Sequence, residues 1–344
     1  MKTKRLVYID VLNILAILAV LFLHHDFGAH FFSQDRRWIF DVILKVIMYF
    51  CIPIFLMITG ANLLNYKSRY STKMYFKKRV VKIIIPMISW FLIIALFRVF
   101  VFGNLNIPTE TPQAFFNFIM SNGILDYYWY LFLMIGIYIT IPILSPLAEK
   151  NNKQLLKYTI LTLFIVNAVI PNTLSIAGFR MNQDLFVKLG TYMIFPLIGF
   201  YLSRYNIEKK WRIVLYGLGV ASVIYQIIIT VVLSYVSNNS VLVALGYTQF
   251  ATILYSSAFF CFVRNTRMKR ICGSKIEKGL SVLASCSFGI YLLHYIIMEL
   301  EKNILPINRQ SFIWRFICSF LTYGICVAVV LLLKKIPLLK RIVP

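Results

Sequence analysis

Charge is scarce in this chain. Of its 344 residues only 14% are charged, with 12 acids and 4 histidines. A soluble domain keeps about a quarter of its residues charged, so an ordinary water-facing surface is excluded. Cysteine is sparse too. Cys51, Cys261, Cys272, Cys286, Cys318 and Cys326 lie in apolar runs or in one basic loop, with neither a CxxC pair nor metal-ligand spacing. That argues against a disulfide framework and a metal site, and leaves them as small hydrophobes. There is no Walker loop, dinucleotide fingerprint or zinc motif, no internal repeat and no low-complexity segment. The apolar stretch after Lys2, Lys4 and Arg5 contains Asp10 and Asn13 and has no small-residue cleavage site, which makes it a span, not a signal peptide.

What the chain has in abundance is apolar surface: 60% of residues are hydrophobic and the mean hydropathy is +0.78. Crossing a bilayer takes about 20 mostly apolar residues, so ten crossings would use roughly 200 positions. Apolar runs between polar loops place ten spans, at 8–25, 38–64, 79–102, 128–148, 154–172, 186–203, 212–235, 242–263, 281–299 and 313–333. The expected fold is therefore all-α, a polytopic membrane protein forming one transmembrane domain over residues 1–344.

Positive charge tests that count, because cytoplasmic loops retain Lys and Arg. Alternate loops carry 25 of the 36 basic residues, and the opposite set carries five: Arg36, Arg37, Arg180, Lys302 and Arg309. Both termini are thus expected in the cytoplasm. The net charge of +24 would suggest nucleic acid in a soluble protein; distributed this way it marks the inner face of a membrane protein, and nucleic acid is excluded as a partner. The longest outer loop, 103–127, has no basic residue, and its segment 114–121 reads as a short interfacial helix.

Ionisable groups inside spans are costly and are functional candidates by default. In the first span Asn13 lies 60° from Asp10, and His24, fourteen residues after Asp10, falls within 40° of it at 100° per residue. The three share one face, which must look into protein or a wet cavity. His24 is a candidate base or a hydrogen bond to a neighbouring helix; His25 and His30 read as interfacial. Arg79 and Lys82 share a face where the third span meets the cytoplasm, as a phosphate clamp or as anchors snorkelling to headgroups. His294 closes the run Ser287-Phe288-Gly289-Ile290-Tyr291-Leu292-Leu293-His294 at a depth like that of His24. Arg98, Arg315, Lys157 and Lys188 are near enough to span ends to snorkel, whereas Lys45 is seven residues in. Gly60, Pro53 and Pro86 are positions for close helix approach or kinks.

Taken together these residues resemble the acyltransferase-3 family of bacterial membrane acyltransferases. Ile9-Asp10-Val11-Leu12-Asn13 followed by His24 is similar to its opening motif, with Asn13 where the family usually carries Arg. The run Tyr49 to Gly60 resembles its Pro-x-Phe and Ser/Thr-Gly segment, and Arg79-Val80-Val81-Lys82 with Pro86 resembles its R-x-x-R-then-Pro motif. Tyr128-Trp129-Tyr130-Leu131 with Tyr138 and Pro142 resembles its aromatic fourth-span motif, and Ser287 to His294 its late F-G-I-Y-L-x-H motif.

The resemblance implies an O-acyltransferase in a bacterial plasma membrane, taking an acyl group, acetyl first among candidates, from cytoplasmic acyl-coenzyme A to a hydroxyl of an envelope or secreted polysaccharide. Acetyl-coenzyme A is then a donor substrate, and no permanently bound cofactor is implied. Arg79 and Lys82 would hold the donor phosphates, with Asp10 and Asn13 shaping its entrance. His24 would act as general base, and His294 and Tyr291 as acceptor-side or oxyanion groups. The partners implied are acyl-coenzyme A, an envelope glycan or lipid-linked sugar acceptor, and membrane lipids; homodimerisation stays open. The chain ends eleven residues past its last span, so the soluble domain that some relatives append is not expected. A polysaccharide or lipid-linked glycan exporter is the competing class, and a non-catalytic relative a third.

Overall fold

A computed structural model describes residues 6–26, 28–103, 105–108, 110–179, 190–266 and 273–344. These are 80% helical and contain no strand. Along the chain run α1 (Val7–His25), α2 (Arg36–Met48), α3 (Cys51–Leu63), α4 (Thr72–Val101), α5 (Pro112–Met120) and α6 (Trp129–Leu144). They are followed by α7 (Lys150–Ile176), α8 (Ile194–Arg204), α9 (Lys209–Ser237), α10 (Phe250–Asn265), α11 (Ser274–Ile304) and α12 (Ile313–Lys335). Lys2, Lys4, Arg5, Arg180, Lys188, Arg267, Lys269, Arg270 and Cys272, and the start of the span expected at 186–203, lie outside the described residues.

The faces of α9 show which solvent it was selected for. Val220, Ile224, Ile228 and Val232, four residues apart, are 50–62% exposed. Ser222, Gln226, Thr230 and Ser234 on the other side are all buried. An apolar outside and a polar inside is the inverse of a helix in water and fits one bathed in lipid. Exposed Ile88, Leu92 and Leu96 make a similar row on α4. Among the described residues eight helical segments are long and apolar enough to cross a membrane, so the protein is an all-α polytopic membrane protein.

The other two expected spans fall on α8 and α10, with 11 and 16 residues. Both are short of the roughly 20 a crossing takes. The segment before α10, expected to be helical from 242, is irregular up to Gln249. Its backbone is satisfied by side chains instead. Gln226 Nε2 donates to Ala244 O at 2.9 Å, Gln249 Nε2 to Val243 O at 2.8 Å, and Ser234 Oγ accepts from Val241 N at 2.9 Å. The span expected at 38–64 breaks between α2 and α3, where Pro53 leaves the Tyr49 carbonyl without its helical donor.

Contacts divide the chain into two compact units. The first comprises Met1–Asn65, Leu144–Ser287 and Ile307–Leu321. Here α8 is buried nearly throughout and crosses α3 at a pair of glycines. A Cβ on Gly60 would stand 1.9 Å from Pro196 O, and one on Gly199 2.0 Å from Met57 O. The expected close approach at Gly60 is thus real, since the two backbones touch. Around this pair α1 packs on α3 and α10, with Phe22 edge-on to Phe316 and Phe320.

The second unit comprises Tyr66–Ile143, Phe288–Pro306 and Thr322–Pro344. Its α4 starts at Thr72, earlier than expected, so Lys73, Lys77 and Lys78 sit on helix; Ser71 Oγ caps it, accepting from Met74 N. A wider π turn covers Val80–Ile84. Pro86 explains it, because Pro86 has no N–H for the Lys82 carbonyl. The short helix expected in the outer loop is α5, capped by Thr111 and carrying exposed Phe115, Phe116 and Met120.

Candidate active site

Within the first unit α1 carries the expected polar stripe. Asp10 is buried and Asn13 and His24 are half-buried, so none of the three faces lipid freely. The Asn13 side chain commits one N–H to Ile9 O at 3.0 Å, and its backbone carbonyl accepts from Ser287 Oγ at 3.5 Å. The opening motif thus meets the start of the late motif. His25 is not interfacial as expected: it is 2% exposed, packs its ring 5.1 Å from that of Trp314, and holds Nδ1 2.9 Å from Leu21 O.

At the C-terminal end of α1 lies an ionic cluster that the sequence reading did not assemble. Arg315 does not snorkel. It is 7% exposed, forms an ion pair with Asp41, and holds Nε 3.8 Å from Asp26 Oδ1. Asp26 and Asp41 are buried, as is Lys45, whose Nζ lies 2.5 Å from His30 Nε2. The loop that closes over this cluster depends on Gly28, where a Cβ would stand 1.8 Å from Asp41 Oδ2. Gly28 N also donates to Asp26 Oδ1 at 3.0 Å. Burial raises the Asp26 carboxyl above its ordinary value, against the Gly28 hydrogen bond and the charges of Arg315 and Lys45. Partial burial, and then the Lys45 ammonium, hold His30 below its own. The signal available in the sequence was Asp41 and Lys45, an acid and a base four residues apart on one face of a span.

In the second unit Arg79 lies between two rings, 5.8 Å from the centroid of Tyr75 and 5.5 Å from that of Tyr138. Its Nε is buried with no hydrogen-bond partner among the described residues. The Tyr75 ring is fixed because its Oη donates to the Tyr138 backbone carbonyl at 3.0 Å. Lys82 is exposed on the π turn. A half-buried guanidinium with an unused donor, beside an exposed ammonium, is an arrangement that takes an anion.

The chain matches the family model of an acyltransferase domain over residues 6–332. It belongs to the acyltransferase-3 family. This is a membrane acyltransferase, and the match covers nearly the whole chain. No curated protein and no solved structure gave a match.

Two of this acyltransferase's motifs meet in the second unit. His294 is fully buried, with Nδ1 2.6 Å from Tyr291 O and its ring stacked 5.9 Å from that of Tyr127. Tyr291 Oη donates to Tyr127 O at 2.5 Å, and Tyr128 Oη to Leu292 O at 2.9 Å. The aromatic fourth-span motif and the late motif are therefore stitched by their hydroxyls. Arg98, expected to snorkel, donates to Ile124 O at 2.6 Å and pins the end of the loop that carries α5.

Proposed function

We propose that this membrane acyltransferase moves an acetyl group from cytoplasmic acetyl-coenzyme A to a hydroxyl of an envelope polysaccharide in a bacterial plasma membrane. The observation that carries the donor half of the reading is the Arg79 Nε, buried without a partner among the described residues while its guanidinium is held between Tyr75 and Tyr138. A charge held in place with a spare N–H is suited to a diphosphate or phosphomonoester, and coenzyme A carries both. Lys82 adds a second, more mobile charge.

His24 is the group proposed to do the chemistry. Its imidazole takes the proton from the attacking sugar hydroxyl, whose oxygen forms the new ester bond at the thioester carbonyl. The carbon–sulfur bond breaks, and the imidazolium returns the proton to the departing thiolate, giving the ester and free coenzyme A. Asp10 is some 21 Å along the helix from His24, too far to orient it. We assign Asp10 and Asn13 to the donor entrance. His294 is assigned to the acceptor side. Tyr291 already spends its proton on Tyr127 O, so we give it a positioning role through that bond.

Comparing the envelope polysaccharide by NMR with and without the gene tests the reading, since an O-acyl signal and a shifted ring proton name both group and position. Loss of an O-acetyl signal on deletion is the expected result. An unchanged polysaccharide together with no binding of acetyl-coenzyme A by the purified protein would sink it and favour export.

A further inference from the structure

Two cavities in the first unit adjoin along the groove between α9 and α10. The one at the basic end of α9 has a volume of about 270 Å³ and is lined by Lys209, Arg212, Asn265 and Thr266 among others. Arg212 Nη1 donates to Asn265 Oδ1 at 2.8 Å, which fixes the guanidinium, and its Nε is buried with no hydrogen-bond partner among the described residues. Among the described residues no acid lines this cavity. The second cavity, of about 370 Å³, is apolar, walled by residues such as Val220, Val223, Ile224 and Phe259. Tyr216 and Phe262 line both. One continuous groove therefore has a cationic head and an apolar body.

We propose that this groove holds one anionic phospholipid, its phosphate on Arg212 and Lys209 and one acyl chain between α9 and α10. The phosphate oxygen accepts from the spare Arg212 N–H, a charge-assisted bond in a partly dry site. From Ile213 to Ile224 the apolar wall extends eleven residues, about 16 Å. That is half of the roughly 30 Å hydrocarbon core, the depth reached by a chain from one leaflet. The leaflet is the one at the basic end of α9, which the loop charges make the cytoplasmic one. A soluble anion would use only the head of the groove and a neutral lipid only its body. The proposal does not depend on the reaction assigned above.

Native mass spectrometry on the full chain in detergent, with phosphatidylglycerol and phosphatidylcholine of identical acyl chains, tests it. One phosphatidylglycerol is expected to stay bound where phosphatidylcholine does not. Arg212→Ala and Lys209→Ala are each expected to weaken that binding about tenfold, the loss of one charge-assisted contact. Ile224→Trp, which fills the apolar half from an exposed position, should weaken it as well. Lys210→Ala should leave it unchanged, because Lys210 lies over the Trp211 ring and does not line the cavity. Equal retention of both lipids would overturn the proposal. So would an effect of Lys210→Ala as large as that of Arg212→Ala, which would mean diffuse surface charge. Displacement of the bound lipid by inorganic phosphate or free coenzyme A at equal concentration would overturn it too.

Discussion

Replacing Arg315 with Met tests whether the ionic cluster beside α1 holds the first unit together. The substitution keeps most of the aliphatic stem and removes the charge that Asp41 and Asp26 share. At the 3.8 Å separation from Asp26, one unit-charge interaction in a protein of effective dielectric about 20 is roughly 4 kcal/mol before desolvation. Breaking a buried pair from one side leaves the other charge stranded and costs about 3–5 kcal/mol. Against a typical folding stability of about 5–15 kcal/mol that is a large loss. Neutralising both partners, as in Asp41→Asn with Arg315→Met, leaves Asp26 with Lys45 and should recover much of it. Thermal unfolding of the purified protein, with the two single variants and the double, gives the coupling. The structure calls for about 2–3 kcal/mol of non-additivity; additivity within about 0.5 kcal/mol would refute the pairing.

Three further outcomes follow from the geometry. Gly60→Ala places a methyl 1.9 Å from Pro196 O, so α3 and α8 must separate; the protein should be destabilised by about 1–3 kcal/mol, and an unchanged midpoint would contradict the crossing. The folded state holds the proton of His30 more weakly than the unfolded chain does, so stability should fall as pH drops through about 6.5 and below. In His30→Gln, which keeps an acceptor for Lys45, the slope of midpoint against pH in that range should flatten, and an unaltered slope would exclude His30 as its source. Arg79→Ala should weaken coenzyme A binding roughly tenfold or more, a charge-assisted contact being about 1.5–3 kcal/mol, with little change in folding; unchanged affinity by calorimetry would remove its phosphate role.

Much of the fold was legible in the sequence because lipid enforces long apolar helices, and α1, α9 and α12 stand close to where hydropathy puts them. What misled was the assumption that an apolar run must cross as a helix. Residues 242–249 are apolar yet irregular: the Gln226 and Gln249 side chains take up the Ala244 and Val243 carbonyls, and Ser234 Oγ the N–H of Val241 just before them. The α1 stripe was readable because Asp10, Asn13 and His24 obey one helical period. The cluster next to it was not, since Arg315 meets Asp41 across 274 residues, and no local pattern records that meeting. Arg79 was found from its motif, but its orphaned Nε and its tyrosine walls come from tertiary packing alone.

The role proposed for His24, base of the acyl transfer, stands or falls with acylation by His24→Ala. Membranes carrying wild-type or variant protein at matched, correctly inserted levels are given acetyl-coenzyme A and the acceptor polysaccharide, and ester formation is followed together with free thiol release. Both are expected to fall to background in His24→Ala while coenzyme A still binds. Ester formation at the wild-type rate in that variant would contradict that role.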